Sequence, residues 1–187
     1  MSPHDIITKG DNTLFRVGDT LDKKIFARIS KFISQNTKGG KVDIDNNQLA
    51  IIDDIIIKEI RDSGYNVEVN NYMKLFTQLE NAISQEQAEI NNLKVSAVKE
   101  LWNSSDIKQK IINKTLYDLG INGIKDVFVK AISEVVRDST FFNLDLETAE
   151  NKLRKLLVDD EYTTRYLRQT TMDTLSQYDG AINDEVR

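Results

Sequence analysis

Between Asn70 and Leu101, apolar residues recur every three or four positions: Tyr72, Phe76, Leu79, Ile83, Ile90, Leu93, Ala97 and Leu101. That spacing is a helical stripe close to a heptad. The only proline of the chain is Pro3, so no later helix is interrupted by a missing amide and a ring clash. At about 1.5 Å of rise per residue the stretch spans on the order of 45 Å, longer than a usual globular helix. The sequence therefore predicts an all-α fold, an elongated helical bundle of about six or seven helices with one long central helix.

The stripe limits how that helix packs. With Phe76, Ile83, Ile90 and Ala97 at position a of a heptad, Glu86 and Glu100 fall at position d. Two carboxylates in a seam are costly, because a buried charge without a partner is unfavourable. The spacing favours a stripe packed within a bundle, its middle near solvent, over a homodimeric coiled coil.

The other elements follow from the same rules. Met1 to Asp11 mixes polar residues with Ile6 and Ile7 and reads as an N-terminal arm. A first helix from about Asn12 to Gln35 has Leu14, Val17, Leu21, Ile25, Ile29 and Phe32 on its apolar face, and Gly39-Gly40 stops it. A second helix, from about Asn46 to Asp62, buries Leu49, Ile52, Ile55, Ile56 and Ile60 and ends at Gly64; Asp45, Asn46 or Asn47 caps its free amides. Tyr65 to Val69 reads as an extended bridge into the central helix.

After Leu101 the cluster Asn103-Ser104-Ser105-Asp106 ends one helix and starts the next. Helices follow over Asp106–Asp118 and Ile124–Arg137, and Phe141 and Phe142 are expected to plug the core. Asp145 caps a helix that buries Leu146, Ala149, Leu153, Leu156 and Leu157, and Asp159-Asp160 caps a last one. Its face, Tyr162, Tyr166, Thr170, Leu175, Tyr178 and Ile182, is poor in aliphatics, and such a stripe gains little from burial in its own domain. The expected organisation is an arm over 1–11, a bundle over 12–158 and a C-terminal helix over 159–187 that projects or leads to a further domain. Tyr162, Tyr166, Leu175, Tyr178 and Ile182 are the expected partner-binding residues.

Composition narrows the chemistry. The formal net charge is −5, which disfavours a general phosphate-binding surface; nucleic-acid contact is not predicted. The absence of cysteine removes disulfides, thiolate metal sites and cysteine nucleophiles. The first ten residues carry no secretory signal, and no run approaches the roughly 20 apolar residues of a membrane span.

Each candidate for chemistry has a plainer reading. Asp43-Ile44-Asp45-Asn46-Asn47 opens like a calcium loop, but Gln48 stands where the loop needs glycine and Asp54 where it needs glutamate; helix capping explains the same residues. His4, the only histidine, has no second histidine or cysteine to share a metal. Asp159, Asp160 and Glu161 suit a helix N-terminus. Lys152, Arg154 and Lys155 form the densest basic cluster, with Arg154 and Lys155 on different sides of Leu153. The glycine pair lacks the Lys-Ser/Thr of a phosphate loop, and no serine sits in a nucleophile elbow. The reading is a non-enzyme with no cofactor, no bound metal and no catalytic residues.

The segment Arg165 to Asn183 resembles a known family. It contains Asp173-Thr174, then Gln177-Tyr178-Asp179-Gly180, then Ala181-Ile182-Asn183, and is similar to the helical part of tailed-phage minor head proteins, the head morphogenesis proteins of the Mu F type. The resemblance covers about twenty residues. It implies a virion protein made in the host cytoplasm, which assists head assembly at the portal vertex or inside the capsid and is multimeric there. The implied partners are portal, capsid or connector subunits. A head–tail connector ring subunit, a capsid-internal protein, and a helical adaptor for one non-virion partner remain as alternatives. In the family the helical part leads into a small cysteine-bearing domain, which has no counterpart before Arg187; a fragment or a reduced relative fits that difference.

Overall fold

The structure, a computed structural model, describes residues 1–186, the side chains of residues 11 and 186 excepted. Among the described residues the fold is all-α. It comprises α1 (Pro3–Thr13), α2 (Phe15–Ser34), a hairpin of β1 (Thr37–Lys38) and β2 (Lys41–Val42), α3 (Asn46–Asp62), α4 (Tyr65–Asn91), α5 (Val95–Asn103), α6 (Asp106–Leu119), α7 (Ile121–Phe141), α8 (Leu146–Arg154), a π-helical turn (Lys155–Asp159) and α9 (Tyr162–Val186). The chain divides into two compact units, each assembled from separated segments. The first unit holds Met1–Phe15, Val67–Gly120 and Leu167–Arg187; the second holds Arg16–Asn66 and Ile121–Tyr166. None of the four breaks, after residues 15, 66, 120 and 166, falls at 11/12 or 158/159, where the sequence suggests one.

In the first unit the expected arm is helix α1. Ser2 and Asp5 form a reciprocal capping box, the Asp5 amide donating to Ser2 Oγ (3.2 Å) and the Ser2 amide to Asp5 Oδ2 (3.1 Å), with Pro3 at the first turn. These are ordinary helix-start signals, and they make a helix of a segment whose polar character suggests an arm. Ile6 and Leu14 are buried. Gly10 sits so close to its neighbours that an added Cβ would lie 2.3 Å from Leu175 Cδ1 and 3.4 Å from Tyr72. Gly10→Val therefore costs about 1–3 kcal/mol through overpacking. A urea-unfolding midpoint unchanged from wild type would show that α1 is not wedged there.

Helix α4 buries Tyr72, Leu75, Phe76, Leu79 and Ile83, the first half of the predicted stripe. The predicted continuation to Leu101 is interrupted. Asn92 adopts a left-handed conformation (φ 52°), and the Leu93 amide bonds back to the Ala88 carbonyl at 2.9 Å. That is the glycine-like helix stop, with asparagine in its place. Leu93, Ala97 and Leu101 keep the three-to-four spacing across the stop, so periodicity alone could not reveal it; the Asn91-Asn92 pair is the local signal. Helix α4 also begins earlier than expected, at Tyr65, directly after left-handed Gly64 (φ 76°).

The second unit is built on α2, α3 and α7. Helix α2 buries Val17, Leu21, Ile25, Ile29, Phe32 and Ile33, α3 buries Ile52, Ile56 and Ile60, and α7 buries Ile124, Phe128, Ile132 and Val136. Gly39 (φ 58°) and Gly40 (φ 78°) do not end a helix; they are the two-residue turn of the hairpin, which pairs Thr37 with Val42. Two left-handed residues are what a tight antiparallel turn requires. The hairpin is tied down by the Val42 amide on the Leu144 carbonyl (3.0 Å) and the Ile44 amide on Thr140 Oγ1 (3.2 Å). Asp45 caps α3 in a box with Gln48, both bonds 2.8 Å.

Candidate functional site

The predicted partner-binding residues divide between the two units. Tyr162 and Tyr166 are half-buried in the second. Leu175, Tyr178 and Ile182 are buried in the first, so this part of α9 is a core helix and not a projecting one. The weak stripe is compensated by aromatic and polar contacts. Tyr178 lies edge-on to Phe76 (4.8 Å between centroids) and to Trp102 (5.2 Å), a favoured geometry for aromatic pairs. Trp102 Nε1–H donates to Tyr178 Oη (3.2 Å), Tyr178 O–H donates to Glu80 Oε2 (3.0 Å), and Lys108 Nζ meets the same oxygen at 3.0 Å. Burial pushes the Tyr178 phenol above its ordinary pKa, so it stays protonated as a donor. Tyr72 O–H donates to the Thr171 carbonyl at 2.9 Å.

The expected cap of the last helix is also reassigned. Glu161 precedes α9 in a left-handed conformation (φ 48°). Asp22, from α2, supplies the cap: it accepts from the Thr163 amide (3.4 Å), the Thr164 amide (3.2 Å) and Thr164 Oγ1 (3.0 Å). These amides belong to the positive end of the helix. Asp22 is 2% exposed. Burial pushes its carboxyl up to about 6, while the Thr163 and Thr164 donors pull it down.

The calcium-like segment holds its oxygens in other work: Asp45 caps α3, and Asp43 pairs with Lys38 at 3.1 Å. His4 is exposed on α1. Among the described residues no group of three potential metal ligands converges, and no helix is long and apolar enough to cross a membrane.

What the structure does present is uncovered apolar surface. In the first unit, α6 buries only Thr115 and Leu119. Ile107, Leu116 and Tyr117 are exposed on it, Tyr117 at 72%, as are Ile90 (74%), Leu93 and Leu101 on and around α4 and α5. Ile90 stands in the last turn of α4 and Leu93 just after the stop at Asn92. In the second unit, Phe141 and Phe142 are 79% and 63% exposed rather than plugging the core. Asn143 is left-handed (φ 51°) and the Leu144 amide bonds to the Ser139 carbonyl (2.9 Å), a stop that leaves both rings outside.

A groove of about 420 Å³ lies beside them, between α7 and the α8–π-turn segment. Ala131, Val135, Leu156 and Tyr162 give it an apolar floor, and Lys130, Glu134, Asp138, Lys152, Lys155 and Asp160 carry charge along its walls. The π-turn widens the backbone here, the Asp160 amide reaching Lys155 O at 2.7 Å. The basic cluster separates as its spacing implies: Lys152 and Lys155 face the groove, and Arg154 stacks over Phe26 at 4.9 Å. Exposed apolar surface and apolar grooves with a few polar groups are common marks of a binding site. The chain matches no family model, no curated protein and no solved structure.

Proposed function

We propose that this chain is a non-enzymatic structural protein of a tailed-phage virion, assembled in the host cytoplasm, that assists head assembly by packing helix faces against portal, capsid or connector subunits. The observation that carries the reading is the exposed apolar surface of α6, where Leu116 and Tyr117 near the C-terminal end and Ile107 in the first turn stand exposed on a helix with only two buried residues. Exposed apolar surface of this kind is a common mark of an interaction site. The likeness of Arg165 to Asn183 to the helical part of minor head proteins supplies the class of partner.

The test is recovery of the tagged chain from its producing cells, compared with a Leu116→Ser/Tyr117→Ser variant. Wild type is expected to bring down portal, capsid or connector proteins, with recovery falling by about tenfold in the variant, the effect of losing well-packed anchors. Recovery of one non-virion protein instead would sink the virion reading and favour a helical adaptor.

A further inference from the structure

We infer that the second unit self-associates about a two-fold axis, each copy inserting its Phe141–Phe142 pair into the groove of the other. This rests on surfaces of the second unit alone and is independent of the virion reading.

The donor and the acceptor lie on one helix face. At about 100° per residue, positions 131, 135, 138 and 142 fall on the same side of a helix. Ala131 and Val135 floor the groove and Asp138 lines it. Phe142 continues that row, because its amide still bonds to the Asp138 carbonyl at 2.9 Å. Ring pair and groove are therefore neighbours on one patch. A two-fold interface requires such an arrangement, since the same patch must both give and receive. The two rings stack edge-on at 4.9 Å and enter as one preformed wedge.

Charge selects a second copy as the occupant. Asp138 and Glu134 lie one and two turns before the rings on α7 and, against Lys130, leave that wall net negative, while Lys152 and Lys155, against Asp160, leave the opposite wall net positive. Among the described residues none of Asp138, Glu134, Lys152 and Lys155 forms an ion pair. An incoming Phe-bearing turn carries its own acids toward the lysines of the receiving groove, and the two-fold repeats the match. The area also suffices. Aromatic side chains bury about 150–250 Å² each, so four mostly exposed rings remove several hundred Å² from water. The walls that they cover roughly double it, which reaches the ~1,200 Å² at which specific interfaces begin.

The experiment is sedimentation velocity on the purified full chain from low-micromolar to millimolar concentration. Wild type is expected to show a reversible monomer–dimer equilibrium. Phe141→Ser/Phe142→Ser is expected to weaken dimerisation by at least about tenfold with unchanged circular dichroism, since both rings are exposed. Lys155→Glu is expected to weaken it as well, and adding Asp138→Lys in the same chain to restore it, because the swapped charges meet across the two-fold. A wild-type chain that stays monomeric at every concentration overturns the proposal. So does a dimer that survives the loss of both phenylalanines, or a charge swap that fails to restore what Lys155→Glu removes.

Discussion

Replacing Trp102 with alanine lowers the stability of the chain by about 3–5 kcal/mol, the usual range for deleting a buried aromatic side chain. Trp102 is fully buried on α5 and fills the space beside Tyr178, its indole N–H satisfying the phenol oxygen at 3.2 Å. Truncation leaves a cavity and removes one of the donors that orient Tyr178 toward Glu80. Domains of this size are stable by only about 5–15 kcal/mol, so the loss is a large fraction of the total. Trp102→Phe keeps most of the packing and loses the hydrogen bond, and is expected to cost about 1–2 kcal/mol. Urea unfolding followed by circular dichroism measures both. Equal midpoints for wild type and Trp102→Ala would show that the cluster does not hold the first unit together.

The second large effect is a pH dependence centred on Asp22. Its carboxyl titrates near 6 in the folded chain and near 4 when unfolded. A raised folded-state value means that the folded chain binds the proton more tightly. The resulting stabilisation is complete below about pH 4 and is lost as pH rises through about 6, a difference of about 3 kcal/mol. Asp22→Asn cannot ionise, and its stability is expected to lack this fall between pH 4 and 7. Asp22→Ala removes the acceptor from three buried donors of Thr163 and Thr164. It is expected to lose about 1–3 kcal/mol at pH 5 and to speed hydrogen exchange at those two amides. The decisive readout is the slope: wild-type and Asp22→Asn curves that run parallel across this range refute the assignment.

Where a short stretch of chain carries its own instruction, the sequence was readable. The Asp45 cap of α3, the Ser105 cap of α6 and the Gly64 stop all act within a few residues. The apolar row of α2 is buried as its spacing implies, and that of α3 in part, Ile52, Ile56 and Ile60 being buried and Leu49 and Ile55 half-buried. Where two local signals compete, the structure departs from the sequence expectation. The start signal Ser2-Pro3-His4-Asp5 competes with the polar character of its segment, and the Asn91-Asn92 stop lies within a spacing that runs through it. Phe141 and Phe142 are large aromatics of the kind that gain by burial, yet the stop at Asn143 leaves them outside.

The candidate surfaces were less legible for a physical reason. Exposure is a property of what fails to cover a residue, and covering comes from distant segments. Tyr178 and Tyr117 are both tyrosines in helical rows; only the presence of Phe76 and Trp102 around one of them separates core from surface. Of the five residues expected to bind a partner, Tyr162 reaches the groove, whereas Leu175, Tyr178 and Ile182 are enclosed within the first unit.

By itself, then, the sequence determined the helical class, most of the helix starts and stops, and which face of each helix is apolar, because backbone hydrogen bonding and side-chain periodicity act within one turn. The tertiary structure alone decided that α9 is a core helix, that Asp22 caps it from 141 residues away, and that the apolar faces left open lie on α6 and at the end of α7. Those outcomes depend on the burial of surface between segments far apart in the chain, and no local rule encodes which segments will meet.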